Sequence, residues 1–199
     1  MLRKFKCVEG CSDCCTNREY FPSKEFGKIG VLLLPKEKKR IEHLAETKKV
    51  GIKILPRIGV GMGDNGACPE SILAYQLMGR ERDGNICPFL DTDGSERSPH
   101  GGACCTIYDE RPAACKAYPL VSIDPTISTL DSKCSYCVSN NGNKVCNLGL
   151  NNEIKALSEI MISTRADEGT HLWRYATNVG DRSDGKLLLP EGWIRIQTS

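Results

Sequence analysis

Apolar residues recur along this chain in short bursts rather than in long periodic stretches. Val31 to Leu34 is a continuous apolar run between Gly30 and Pro35, the mark of a short buried strand. Pro35 stands where a helix tolerates proline, in its first turn. Ile41, Leu44 and Ala45 follow at helical spacing among lysines and glutamates. They predict an amphipathic helix from Lys36 to about Lys49, ended by Gly51. Ile52 to Val60 reads as extended but carries Pro56, so an edge strand is the most it promises. Ser71 to Met78 fits a strand that passes through the Asp83-Gly84 turn into a second one, Ile86 to Leu90. A polar loop from Asp91 to Gly102 leads to an extended stretch, Ala103 to Tyr108. Asp109 is suited to cap a short helix through Ala113 to Lys116. After the turn-rich Ser139 to Asn143, Asn151 or Asn152 caps a helix with Ile154, Leu157, Ile160 and Met161 on one face. Leu172, Tyr175, Ala176 and Val179 read as a second amphipathic helix, and Trp193, Ile194 and Ile196 as a terminal strand or docking tail.

Cysteine changes this picture. Twelve are present, four of them as Cys7-x3-Cys11-x2-Cys14-Cys15. Thiolates at two- and three-residue spacing converge readily on one soft metal ion or cluster. Met1 to Lys6 is basic, but Cys7 to Glu19 offers no apolar run of a secretory leader, and Ile29 to Leu34 is too short to span a bilayer. A cytoplasmic setting is therefore expected, where clustered cysteines read as metal or redox ligands before disulfides. The formal net charge of +2 gives no footing for nucleic-acid binding. The lysine-rich stretch from Lys36 to Lys49 is interleaved with Glu37, Glu42 and Glu46, as on a solvated helix face. Gly61-x-Gly63-x-x-Gly66 matches a dinucleotide fingerprint in letters only, because Pro56 and Pro69 spoil the strand and helix it needs. Among the three histidines, His100 alone lies near a cysteine and is a candidate ligand.

Single cysteines recur downstream in aromatic and proline contexts: Cys87-Pro88-Phe89-Leu90, then Cys105-x-Ile107-Tyr108-x-x-Arg111-Pro112-x-x-Cys115, then Tyr118-Pro119. With the N-terminal knot, these motifs resemble the YkgJ-like cysteine-cluster family, the CxxCxxCC proteins, described as zinc- or iron-chelating domains. The resemblance covers roughly residues 5 to 137. It implies a ligand set of Cys7, Cys11, Cys14, Cys15, Cys87, Cys105, Cys115 and Cys134. Cys68, Cys104, Cys137 and Cys146 stand outside it. Flagellin lysine N-methylases carry a similar cysteine domain, but no S-adenosylmethionine motif is visible here.

Eight thiols suit two four-thiolate sites, or one cluster with further structural thiols. Adjacent pairs, Cys14 with Cys15 and Cys104 with Cys105, are expected to serve different sites or different roles. The uneven spacing favours an iron–sulfur cluster, 4Fe-4S, over tidy zinc knuckles; zinc is the alternative. Arg111 is placed to offset the charge of an anionic cluster or to cap a carbonyl. Tyr108 and Tyr118 are expected to pack over the site and exclude water.

The fold expected is α+β. Residues 1–150 form a small metal-stabilised cysteine-rich domain with short strands. Residues 151–199 form a helical C-terminal extension packed on it. The function expected is a cytosolic iron–sulfur protein with no catalytic activity of its own, an electron carrier or accessory subunit working with a protein partner. The alternatives are a zinc-stabilised interaction module and an accessory of a protein lysine methyltransferase.

Overall fold

The computed structural model describes residues 3–16, 26–62, 68–80, 86–177 and 189–196. The elements in chain order are β1 (Arg3–Lys4), α1 (Asp13–Thr16), β2 (Val31–Leu33), α2 (Pro35–Lys48), β3 (Ile54–Gly61), β4 (Ser71–Leu77), β5 (Leu90–Asp91), β6 (Cys104–Cys105), α3 (Ala113–Ala117), β7 (Leu120–Ile123), β8 (Ile127–Leu130), α4 (Ser135–Asn140), β9 (Lys144–Cys146), α5 (Asn151–Ser163), β10 (His171–Ala176) and β11 (Gly192–Ile196). The chain is mixed α+β. It divides into two compact units, Met1–Asn17 with Arg80–Met161, and Arg18–Gly79 with Ile162–Ser199.

The first unit carries eleven of the twelve cysteines, all but Cys68. Its sheet has the order β1-β9-β8-β7, with β1 parallel to β9 and the other pairs antiparallel. Leu120 and Leu130 from β7 and β8, Val145 from β9, and Tyr136 and Cys137 from α4 form its buried core, against which Phe5, Ile154 and Leu157 pack. Phe5 meets Tyr136 edge to face at 5.2 Å, and the Tyr136 hydroxyl donates to the Lys4 carbonyl at 3.1 Å. These contacts fix the strand that leads into the N-terminal cysteines. The two-residue ladder of β5 and β6 stands apart, pairing Leu90 with Cys105.

The second unit is built on a five-stranded sheet of order β11-β10-β3-β4-β2. α2 forms as its apolar spacing predicts, with Ile41, Leu44 and Ala45 buried. Lys49, not Gly51, ends it, in the left-handed conformation at φ 55°. The buried Glu37 carboxylate accepts the Leu34 N–H at 2.9 Å, satisfying one of the orphan donors at the helix start.

Several expectations give way here. β3 lies in the middle of its sheet. Pro56 is accommodated because β10 pairs with β3 only from Ile58 onward, so no donor is asked of the ring nitrogen, and a register irregularity follows it. Gln76, 1% exposed, accepts the Gly30 N–H at 3.0 Å and donates to the Pro56 carbonyl at 2.9 Å. The expected helix beginning at Leu172 is instead strand β10, held between β3 and β11. Trp173 is buried there, while Tyr175 packs edge to face on Trp193 of β11. Val179 lies outside the described residues, as do the Asp83-Gly84 turn and Gly63 and Gly66. The C-terminal extension is thus helical only in α5; its described remainder contains two strands. Ser139 and Asn140 belong to α4, not a turn, and α3 starts behind Pro112 rather than Asp109.

Replacing Gln76 by Leu leaves two buried backbone groups unpaired, at a cost of about 1–3 kcal/mol for each. A lower urea midpoint with unchanged m-value is the expected result, and an unaltered midpoint would contradict this account.

Candidate metal centre

Five segments of the first unit meet around one cavity of about 140 Å³. The loop after β1 supplies Cys7 and Cys11, α1 supplies Cys14 and Cys15, and β6 supplies Cys105. α3 adds Cys115, and Cys134 comes from the residue that opens α4. Seven of the eight sequence-predicted cysteines therefore share one wall. The eighth, Cys87, is buried and does not line the cavity; its N–H donates to the Cys15 carbonyl at 2.8 Å. Cys104 points off the other face of β6, with Sγ 3.9 Å from Glu96. Cys68 is exposed in the other unit.

The loop geometry follows from local bonding. The Ser12 hydroxyl accepts the Ala103 N–H at 2.7 Å, and the Gly10 N–H donates to the His100 carbonyl at 2.6 Å. Gly102 is needed where it stands, because a Cβ there would lie 2.4 Å from the Cys11 carbonyl oxygen. The Ser135 hydroxyl donates to the Asp13 carboxylate and sits 3.6 Å from the Cys11 sulfur. Sequence reasoning missed Ser12, Asp13 and Ser135. Their only signal was position, each directly beside or between the paired cysteines. Cys14 and Cys15, on one helical turn, both reach the same cavity, with sulfurs 3.9 Å apart.

The cavity also takes in Tyr108, Arg111, Tyr118, His100, Lys116 and Glu153. Arg111 stacks on Tyr108, 3.7 Å from guanidinium carbon to ring centre, and its Nε donates to the Tyr108 carbonyl at 2.7 Å. The Tyr118 side chain hydrogen-bonds to the Cys134 sulfur, toward which the Tyr136 and Cys137 N–H groups also point.

Burial sets the protonation of these thiols. It pushes Cys105 up to about 11; the Ile107 N–H opposes the rise, the Cys15 and Cys115 sulfurs add to it, and Arg111 again opposes it. Burial likewise raises Cys7, helped by Cys11 and Cys134, and raises Cys134 against the pull of its N–H donors. Two neighbourhoods emerge, Cys7 with Cys11 and Cys134, and Cys15 with Cys105 and Cys115. Among the described residues no group of three or more His, Cys, Asp or Glu is placed to hold a metal ion as it stands. The donors fit a soft metal in kind, since seven sulfurs share one cavity, and their side chains would draw inward on binding.

The family model CxxCxxCC, described as "Putative zinc- or iron-chelating domain", matches residues 6–148, well over half of the chain. The chain belongs to this family. No curated protein and no solved structure matches it. The CxxCxxCC match takes in all twelve cysteines and extends past residue 137 to include Cys146. Cys146 nonetheless sits on β9, paired with Lys4 and Ile127, and does not line the cavity. The family description names zinc and iron as the metals.

The raised thiols have a consequence for the metal-free chain. Cys105 and Cys137, both pushed up to about 11 chiefly by burial, keep their protons in the folded state above the ordinary value of 9.0. The unfolded chain releases them near 9.0, so the folded state binds more protons between these values and stability falls as pH rises. The contribution is complete below about pH 9 and is lost toward about pH 11. Thermal melting across that window should show a falling Tm, and a flat profile would count against buried neutral thiols.

Proposed function

We propose that this CxxCxxCC domain holds an iron–sulfur cluster of the 4Fe-4S type and serves in the cytoplasm as an electron carrier or accessory subunit of a partner protein. The observation that carries this reading is the gathering of Cys7, Cys11, Cys14, Cys15, Cys105, Cys115 and Cys134 around one cavity that also contains Arg111 and Lys116. A cluster with four thiolates is anionic, and Arg111 and Lys116 oppose that charge beside the cavity's own carboxylates, Asp13 and Glu153. When bound, the cluster supplies one-electron transfer. The protein's part is to exclude water through Phe5, Tyr108 and Tyr118, to hold the sulfurs through the Ser12 and Ser135 hydrogen bonds, and to set the surrounding charge. Cys87, buried and bonded through its N–H to Cys15, shapes the loop from behind and joins the ligand set only if its sulfur turns inward.

One observation favours a second reading. The two thiol neighbourhoods, Cys7 with Cys11 and Cys134, and Cys15 with Cys105 and Cys115, each supply three of the four donors that a zinc site takes. On that reading the domain is a zinc-stabilised interaction module without redox chemistry.

Anaerobic purification followed by iron, zinc and acid-labile sulfide analysis separates the two. Iron with matching sulfide and a brown colour bleached by dithionite is expected. Stoichiometric zinc in a colourless protein would overturn the cluster. Cys11→Ser and Cys115→Ser should each lose metal and solubility, because each removes a thiolate from the wall that folds around the metal. Full metal content in both variants would remove these residues from the ligand set. Cys146→Ser should keep its metal, and loss there would extend the site into β9.

A further inference from the structure

Cys137 has no place in the cavity, yet it is not an isolated buried sulfur. It is 4% exposed, in a core of Leu120, Leu130, Val145 and Leu150 that also holds Cys134. The two belong to the segment Cys134-Ser135-Tyr136-Cys137, in which Cys134 precedes α4 with extended backbone (φ −63°, ψ 130°). The Cys137 N–H closes the turn on the Cys134 carbonyl at 2.8 Å. Positions three apart on such a turn have Cα atoms about 5 Å apart, within the span a disulfide requires. Of the two sulfurs, Cys134 alone opens on the cavity, and Cys137 stands behind it. The core that buries Cys137 therefore also contains the cavity-facing cysteine three residues before it.

We propose that Cys134 and Cys137 form a redox-active dithiol that closes to a disulfide under a peroxide and thereby withdraws Cys134 from the metal cavity. The withdrawal step rests on the reading of Cys134 as a metal thiolate; the dithiol itself does not. Hydrogen peroxide entering the cavity meets Cys134. Its sulfur forms a bond to one peroxide oxygen as the O–O bond breaks, and a water molecule leaves, giving the sulfenic acid. The Cys137 sulfur then attacks the Cys134 sulfur, the S–S bond forms, the S–OH bond breaks, and a second water carries away the hydroxyl and the Cys137 proton. Two thiols have lost two electrons and two protons, and one peroxide has become two waters. A small thiol reductant restores the pair by exchange. The apolar core around Cys137 favours this local reaction over bridging to a distant cysteine, because among the described residues Cys134 is the other thiol of that core.

The sequence supplies a convenient assay. Trypsin cuts after Lys133 and Lys144, releasing one peptide that holds Cys134 and Cys137 and no other cysteine. The full-length metal-free chain is treated with stoichiometric hydrogen peroxide, alkylated without reduction, digested and weighed. The expected result is that most of this peptide escapes alkylation and is two hydrogens lighter, and that prior dithiothreitol treatment reverses it. Recovery with both cysteines alkylated, or with an over-oxidised Cys134 beside an alkylated Cys137, would overturn the dithiol. On the metal-loaded chain, metal released by peroxide should be taken up again after dithiothreitol in the parent but not in Cys137→Ser, whose Cys134 has no resolving thiol and over-oxidises. Equal recovery in the two would overturn the withdrawal step. A chain that forms the disulfide but binds neither iron nor zinc would sink the metal reading and the withdrawal step while leaving the dithiol standing.

Discussion

The cysteines of residues 7–15 face one cavity because their segment is hydrogen-bonded, through backbone and side chains, to three other parts of the same unit. Cys87 donates to the Cys15 carbonyl, Ala103 to the Ser12 hydroxyl, and Ser135 to Asp13, while Gly10 reaches the His100 carbonyl. A loop of this kind has no ladder of its own, so without those bonds its thiols would have no common direction. Gly102 is part of the same constraint, since the close approach of the Cys11 carbonyl leaves no room for a side chain. The sheet β1-β9-β8-β7 and the helix α4 matter to the site mainly because they anchor the two ends of this network, Lys4 through Tyr136 and Asp13 through Ser135.

The same gathering is electrostatically unfavourable until something positive arrives. Sulfurs brought together in partial burial resist ionisation, and Cys105 shows it most plainly, with Cys15 and Cys115 adding to the effect of burial. Arg111 opposes that tendency but does not cancel it. A metal would reverse the balance by converting neutral thiols into ligands, and its binding energy would then count as folding energy for a unit whose core is small. Arg111 is held by two contacts on Tyr108, which keep its charge at the cavity. Its carbonyl bond and its proximity to the thiols are not competing roles; the first enforces the second.

Much of this was legible in the chain where the signal was local. The run Val31 to Leu33, the proline that follows it and the spacing of Ile41, Leu44 and Ala45 act over a few residues, and β2 and α2 formed accordingly. The cysteine motifs were legible for the same reason. What escaped depends on distant partners. Leu172 to Ala176 is too short to separate a helical from an alternating pattern, and pairing with β3 and β11 decides for strand. Pro56 argued for an edge, yet the sheet places its neighbour β10 only beyond the ring. Ser12, Asp13 and Ser135 looked like spacers, because the partners that give them a role lie about ninety to a hundred and twenty residues away in the chain.

Adjacent and near-adjacent cysteines divide their work according to the backbone that carries them. On β6 neighbouring side chains take opposite faces, so Cys105 reaches the cavity and Cys104 faces Glu96. On the single turn of α1 neighbours diverge less, and Cys14 and Cys15 stay together with sulfurs 3.9 Å apart. At the start of α4 a three-residue step returns Cys137 to the side of Cys134 but one layer deeper. Counting cysteines or matching their spacing therefore does not say which of them line the cavity. The local backbone sorts twelve thiols into those that face the cavity, those that back it and those that leave it, and chemistry at this site follows that sorting rather than the order of letters.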